Sequence, residues 1–447
     1  MCNIATCAKI FASRRNEMNK SLLAVSGFVM IVLLKSMPVF AEPVVIDEVL
    51  IPKAPDQAME VRHIVIKGTN QEIGKALGDI AQEWLDVKLS KFAGPLYAEA
   101  NHLYVEKNYP ILWERMKGVA QSYGLAPENK VYNTSGLPYD IGPFACSVLY
   151  IPPEFSADGH AILGHNFDFH IALMSDILGI PPIPGAQPLY SRTCVVELYP
   201  DKGYPSIVVG SLDLLNSLQG GMNSKGLVVN ILTDTSRKPY LSGSGGDGKN
   251  GGLNGIQLMR LLLDTCSNVN EAKVALTINK LAPVFDSFHF IISDRSGKSF
   301  VYEISGEDGS SHFTDNNGKP MILTNHAVFL YPDPQKFPAW DAKDTYNTFR
   351  RYKLIWDFVQ HHQGKFAPND VNTVLAKVYA NIQGGPQFSP GAQKATPGRT
   401  LFHNVFDPEA LTLNTKFYLK DGPTDGATGY PSLVFSKIFQ FKLEETK

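Results

Sequence analysis

The chain has 447 residues, 44% of them apolar and 19% charged, with a formal net charge of −2. A chain of this length buries an ample core, in one large domain or two average ones, and its proportions exclude a disordered, collagen-like or polytopic membrane protein. No basic run of five or more residues occurs, which argues against nucleic acid as a partner.

The first forty residues differ from the rest. Lys9, Arg14, Arg15 and Lys20 precede an apolar run over 22–34, and Val39-Phe40-Ala41 follows. Basic, apolar and then small residues is the order of a secretory signal peptide, expected to span 1–41; an apolar run of about 13 residues is short for a membrane span. Met18 is an alternative start that would make the leader more compact. Removing 1–41 leaves 36 Lys and Arg against 42 Asp and Glu, and three cysteines: Cys146, Cys194 and Cys266. That is a sparse set for an exported protein rather than a disulfide scaffold. If geometry allows a Cys194–Cys266 bridge, Cys146 is the odd thiol.

Further on, 59–67 alternates like a strand, and from Asn70 to about Tyr123 apolar residues recur at helical spacing until Gly124-Leu125-Ala126-Pro127 stops them. From Cys146 the pattern turns to period two or continuous apolar runs. Strands are expected at 146–151, 160–167, 193–200, 205–211, 226–232, 286–293, 299–304, 399–407 and 411–419. Helices are expected at 254–266, 270–281, 345–362 and 370–382, with irregular loops at 181–188 and 243–252. Strand runs separated by paired helices fit a layered α/β arrangement with largely antiparallel sheets.

The chemistry centres on Ala145-Cys146-Ser147-Val148-Leu149-Tyr150-Ile151, followed after a turn by Gly164-His165-Asn166-Phe167-Asp168. A cysteine nucleophile needs a base to make its thiolate. A free α-amine at the cysteine itself, with a pKa of about 7.7–8.0, can serve. That amine exists only if the Ala145–Cys146 bond is broken. The glycine- and proline-rich approach 135–143 leaves room for the sulfur to attack the Ala145 carbonyl.

These segments resemble the cysteine N-terminal-nucleophile amidohydrolases, the superfamily of acid ceramidase and N-acylethanolamine amidase, choloylglycine hydrolase and penicillin V acylase, and penicillin acyltransferase. Gly164-His165-Asn166-Phe167-Asp168 resembles the family's Gly-Arg-Asn-x-Asp. Gly221-Met222-Asn223-Ser224-Lys225-Gly226-Leu227 resembles its Gly-x-Asn-x-x-Gly-Leu, and Leu323-Thr324-Asn325-His326 its Thr-Asn segment. Thr400-Leu401-Phe402 through Asp407 resembles the closing strand. The resemblance covers most of 140–420. It implies an α+β, four-layer αββα sandwich made as a precursor: a helical small chain, 42–145, and a catalytic large chain, 146–447, that stay together.

The resemblance also assigns roles. Cys146 is nucleophile and, through its amine, base; Asp168 orients that amine; Asn325 and Asn230 donate to the oxyanion. Many members carry Arg where this chain has His165, which is shorter and mostly neutral at pH 7. A second family arginine matches Lys343, Arg350 or Arg351, so His165, Arg350 and Arg351 are the substrate-binding candidates. Read without the resemblance, Arg350-Arg351 is a solvated helix face. His160, His165 and His170 do not read as a metal site, because residues five apart on a strand point to opposite faces. No cofactor is implied.

The expected function is hydrolysis of a linear, non-peptide N-acyl amide through an acyl-thioester on Cys146. The alternatives are acyl transfer from the same intermediate, a phospholipase-B-like esterase, and a non-catalytic envelope or binding protein on the same fold. The expected partners are a small-molecule or lipid amide and, transiently, a membrane surface. The expected location is secreted or periplasmic.

Overall fold

The computed structural model describes residues 43–140, 145–216, 219–236, 252–282, 288–340, 346–382, 397–426 and 429–445. The expected leader, Gly142-Pro143, Lys343 and nearly all of the 243–252 loop lie outside them. In chain order the elements are β1 (Val44–Ile51), β2 (Glu60–Gly68), α1 (Asn70–Leu85), α2 (Pro95–Asn108), α3 (Pro110–Ser122), β3 (Ala145–Ile151), β4 (Ile162–His170), α4 (Met174–Leu178), β5 (Arg192–Pro200), β6 (Ser206–Gly210), β7 (Gly220–Asn223) and β8 (Val228–Thr233). They continue with α5 (Gly255–Thr265), α6 (Val269–Ile278), β9 (Phe288–Ser293), β10 (Ser299–Ile304), β11 (Ser311–Asp315), β12 (Met321–Leu323), α7 (Thr348–His361), α8 (Pro368–Ala376), β13 (Asn381–Ile382), β14 (Gly398–Asp407), β15 (Thr412–Thr424), β16 (Pro431–Phe435) and β17 (Phe439–Lys442).

Two sheets stack face to face. The first has the order β1-β2-β5-β6-β7-β8-β9-β10-β11, antiparallel throughout except where β2 runs parallel to β5. The second runs β12-β3-β4-β14-β15-β16, with β13 on β14 and β17 on β15. Helices α1 and α5 cover the first sheet, α3 packs on α1, and α7 and α8 cover the second. The result is the αββα sandwich. Strand alternation builds it: Cys146, Val148 and Tyr150 of β3 enter the core between the sheets, while Leu149 and Ile151 enter the core beneath α7 and α8.

Local chemistry sets the boundaries. Thr69 and Glu72 form a reciprocal capping box at the start of α1, as Asn254 and Gln257 do for α5. The expected helical stretch 70–123 is three helices, broken where Asp86 turns left-handed and where Pro95 and Pro110 begin new ones. Glycines let α1 and α3 touch backbone to backbone: a Cβ on Gly74 would strike the Arg115 carbonyl, and one on Gly118 that of Gln71.

Residues 42–145 are not only helical. They also supply β1 and β2, the outer strands of the first sheet, so the expected small chain is woven into the large one. A buried ion network crosses the same boundary. Asp264 accepts from Arg115 Nη1 (2.7 Å), Arg260 Nη2 (2.6 Å) and Tyr109 Oη (2.5 Å). Burial pushes its carboxyl up, but the two guanidiniums outweigh that and hold it below its ordinary value. Asp264→Asn leaves two buried arginines uncompensated and is expected to cost about 3–5 kcal/mol, read by chemical denaturation of the uncut chain.

Candidate active site

Cys146 sits at the second position of β3, fully buried, and pairs with Phe167 of β4. Its backbone N–H donates to Asn325 Oδ1 at 3.0 Å. The pairing of β12 with β3 places Asn325 there, and its Nδ2 donates to the Thr233 carbonyl (2.6 Å) at the end of β8. Asn325 therefore bridges the two sheets beside the nucleophile. The segment after it is anchored to the first sheet: Thr235 N–H donates to the Asn325 carbonyl, and Val328 and Phe329 N–H groups donate to the Glu303 carboxylate.

The residue that completes this corner is Arg351, only 1% exposed. Its Nη1 donates to the Cys146 carbonyl and to Ser147 Oγ (2.8 Å), and its Nη2 to Asn325 Oδ1 (2.6 Å) and the Tyr346 carbonyl (3.2 Å). Of the candidate cations, the structure brings Arg351 to Cys146. The expectation of a solvated face fails for it because α7 turns this residue onto β3 while Arg350 stays half-buried.

Asp168 lies diagonally across β4. Its Oδ1 accepts from Thr400 Oγ1 (2.5 Å), whose β14 backbone pairs with it, and Oδ2 has no bond among the described residues. Burial raises its carboxyl to about 7 against the pull of Arg351 and Thr400. The group that meets the Cys146 nitrogen in the uncut chain is thus Asn325 rather than Asp168. Burial and Asp168 push the Cys146 thiol well up; Arg351 and the Asp168 backbone N–H act against them. In the intact chain the sulfur is a neutral thiol that needs a base.

Asn230, on β8, projects into the space between the sheets, fully buried. Neither its Nδ2 nor its Oδ1 has a bond among the described residues. A Cβ on Gly220 would collide with Asn230 Oδ1 and come within 3.4 Å of His165 Nδ1, so Gly220 lets these two side chains share one space. Burial lowers His165 to about 3, and the ring is neutral. Asn166 points away from this space and ties β4 to the Leu375 carbonyl of α8 and to His403 of β14. Gly164 is a glycine because a Cβ there would run into Val371 and Leu375.

The sequence motifs point to no role for Thr233, Tyr346, Thr400 or Asn404. Asn404 carried a usable signal, an amide in the middle of an apolar strand. Cys194 and Cys266 are both buried as thiols, so the bridge between them is not formed. Among the described residues, two clusters have the composition of metal ligands: Asp158, His160 and Asp407, and Asp234, His289 and Glu303. Neither contains His165 or His170. In the second, Glu303 already accepts from two backbone N–H groups and meets His289 Nδ1 at 3.1 Å, so it reads as the anchor of the Asn325 segment.

The shifted groups predict a pH dependence of stability. Burial raises Asp140 to about 8 and Asp168 to about 7, so the folded state holds protons that the unfolded state releases, and stability falls as pH rises toward those values. His165, His326 and His403, each lowered by burial to about 3, act oppositely, but only below an unfolded pKa of about 6.5. The two sets offset each other at acid pH, and the aspartates alone act above it. The melting temperature of the uncut Cys146→Ala chain is expected to fall between pH 6.5 and 8.5. The loss is about 3 kcal/mol at 1.36 kcal/mol per pKa unit, measured by calorimetry.

The sequence model of the family described as acyl-coenzyme A:6-aminopenicillanic acid acyl-transferase matches residues 155–420. The match takes in Asp168, Asn230, Asn325 and Arg351 and begins just after Cys146. No curated protein sequence matches the chain. Among solved structures, penicillin V acylase from Agrobacterium tumefaciens is similar at 17% identity, with 61% of this chain and 82% of that one covered and a TM-score of 0.38. The C2A mutant of conjugated bile acid hydrolase from Clostridium perfringens is similar at 15% identity, with 67% and 98% covered and a TM-score of 0.40.

Proposed function

The chain belongs to the acyl-coenzyme A:6-aminopenicillanic acid acyl-transferase family, and from that premise we propose that it is an N-terminal-nucleophile amidohydrolase that cuts itself before Cys146. Maturation begins when Cys146 Sγ attacks the Ala145 carbonyl carbon. The C–N bond breaks, the thiol proton passes to the departing nitrogen, and a thioester forms. Water hydrolyses it to the Ala145 carboxylate, leaving a free thiol and a free α-amine on Cys146. Chains 42–145 and 146–447 remain joined through the β2–β5 pairing and the Asp264 network.

In turnover the α-amine takes the thiol proton, and Sγ attacks the carbonyl of a linear, non-peptide N-acyl amide. Asn230 Nδ2 and the second N–H of Asn325 Nδ2 donate to the oxyanion; removing one such donor commonly costs about 10²–10³ in rate. The amine returns the proton to the leaving nitrogen, and water releases the acyl group from sulfur. Asp168 Oδ2 is the acceptor available to the new ammonium. The observation that carries this reading is the contact of the Cys146 nitrogen with Asn325 Oδ1 at 3.0 Å, braced by Arg351, because it orients the atom that becomes the base.

Acyl transfer to an amine runs through the same thioester, and the family description favours keeping it as the second reading. A panel of N-acyl amides, bile salts and penicillin V, each with and without an added amine acceptor, tests both. A Cys146-bound acyl group released to water supports the hydrolase, and one captured mainly by the acceptor supports the transferase. No acyl-thioester with any member of the panel contradicts the proposal. The leader-like 1–41 supports a periplasmic or external location, where a lipid amide would bring the enzyme transiently to a membrane surface. Among the described residues no helix is long and apolar enough to cross a membrane.

A further inference from the structure

Behind the nucleophile, a row of polar side chains runs across the inner face of the second sheet. Strand pairing aligns His165 of β4 with Asn404 of β14, and Asn404 with Thr415 of β15. The row lies between two apolar ones. Cys146, Phe167, Phe402 and Phe417 form the row toward the scissile end, and Tyr150, Leu163, Phe406 and Leu413 the row beyond. Asn230 reaches the same space from the first sheet, meeting His165 over Gly220.

All four polar residues are at most 1% exposed. Among the described residues, both ring nitrogens of His165, both amide atoms of Asn230 and of Asn404, and Thr415 Oγ1 have no hydrogen-bond partner. Each such atom destabilises the fold if nothing satisfies it, and native structures rarely gather so many in one place. Together these atoms call for a partner, a guest or water, that both donates and accepts hydrogen bonds.

The chemistry of that guest follows from the lining. Histidine, two primary amides and a hydroxyl are all uncharged here, and Asp168 and Arg351 lie toward the scissile end. A carboxylate or an ammonium would enter without a counter-charge, at heavy cost. A hydroxyl or an amide would find both donors and acceptors. Direction follows too. The α-amine faces Ala145 and away from Val148, and it protonates the departing amine, so the leaving group exits at that end. The acyl part is what can extend along β3 toward the His165 row.

We infer that His165, Asn230, Asn404 and Thr415 form a subsite for the acyl part of the substrate, and that this acyl part carries an uncharged hydroxyl or amide close to the scissile carbonyl. The inference rests on the amidase reading above and narrows its substrate class. Sites built to hydrogen-bond a substrate group reject the analogue lacking it by large factors, up to about 10⁴–10⁵.

The test uses the processed enzyme and three acyl amides sharing one chain and one leaving amine. One has an unsubstituted chain, one a hydroxyl near the carbonyl, and one a carboxylate at that place. Turnover is read together with the acyl mass on Cys146. The hydroxylated member is expected to lead in kcat/KM by at least about tenfold over both others. Thr415→Val, nearly isosteric, and Asn404→Leu are expected to shrink the ratio of hydroxylated to unsubstituted rates toward one. Thr415→Val keeps the test informative if Asn404→Leu does not fold. Equal rates for hydroxylated and unsubstituted chains, with acyl-Cys146 formed from both, overturn the inference and leave the amidase reading standing; the row then holds only water. No acyl-Cys146 from any of the three overturns both.

Discussion

Cys146→Ala is expected to yield a single uncut chain under denaturing electrophoresis, where the wild-type protein gives two fragments. Turnover should fall on the order of 10⁶-fold, the scale of removing a nucleophile outright. One atom accounts for both losses. The sulfur that would open the Ala145 carbonyl is the sulfur that would later carry the acyl group, and no other described thiol can replace it. Cys194 and Cys266 are buried on other elements, and burial raises Cys266 to about 11. The variant should remain folded, since the Asn325 contact is made by the backbone N–H and not by the thiol. A melting curve close to that of an uncut wild-type precursor separates lost chemistry from lost structure. Two fragments from Cys146→Ala would place the scission elsewhere, or assign it to another protease.

The second large effect is expected from Arg351. Its guanidinium holds the Cys146 carbonyl, Ser147 Oγ and Asn325 Oδ1 together, and Arg351→Ala leaves these buried acceptors short of a donor. Charged hydrogen bonds of this kind are worth about 1.5–3 kcal/mol each. Self-cleavage and turnover should both drop by about 10²–10³-fold, comparable to losing an oxyanion donor. Arg351→Lys should recover little, because a single ammonium cannot reproduce a planar fork. A pH profile distinguishes this from loose packing. Arg351 opposes the upward shifts of both the Cys146 thiol and Asp168. Without it those groups ionise at higher pH, so the residual activity should move to higher pH. An unshifted profile with a lowered melting temperature would assign Arg351 a structural role alone.

What could be read from the sequence divides along physical lines. β3, β4, β14 and β8 are legible because buried strands write near-continuous apolar runs, and Cys146 and Asp168 stand at fixed positions within them. β1, β7, β11 and β12 escape notice. β7 is four residues with two glycines, β12 is three residues long, and β1 and β11 lie at the sheet edges with much of their surface exposed. Arg351 could not be told from Arg350, since adjacent helix residues differ by about 100° and only packing decides which turns inward. The parallel β2–β5 pairing is set by tertiary packing across more than a hundred residues, beyond the reach of local periodicity. The polar row is hidden for a related reason: His165, Asn404 and Thr415 are distant in sequence and meet only through strand register.

The central claim is that this protein makes its own base by exposing the α-amine of Cys146. N-terminal sequencing of the larger fragment from freshly purified enzyme, alongside its turnover, tests that most directly. The fragment should begin Cys-Ser-Val-Leu-Tyr, and activity should rise in proportion to the fraction cut. A fully active uncut chain, or a fragment beginning at any other residue, would contradict it.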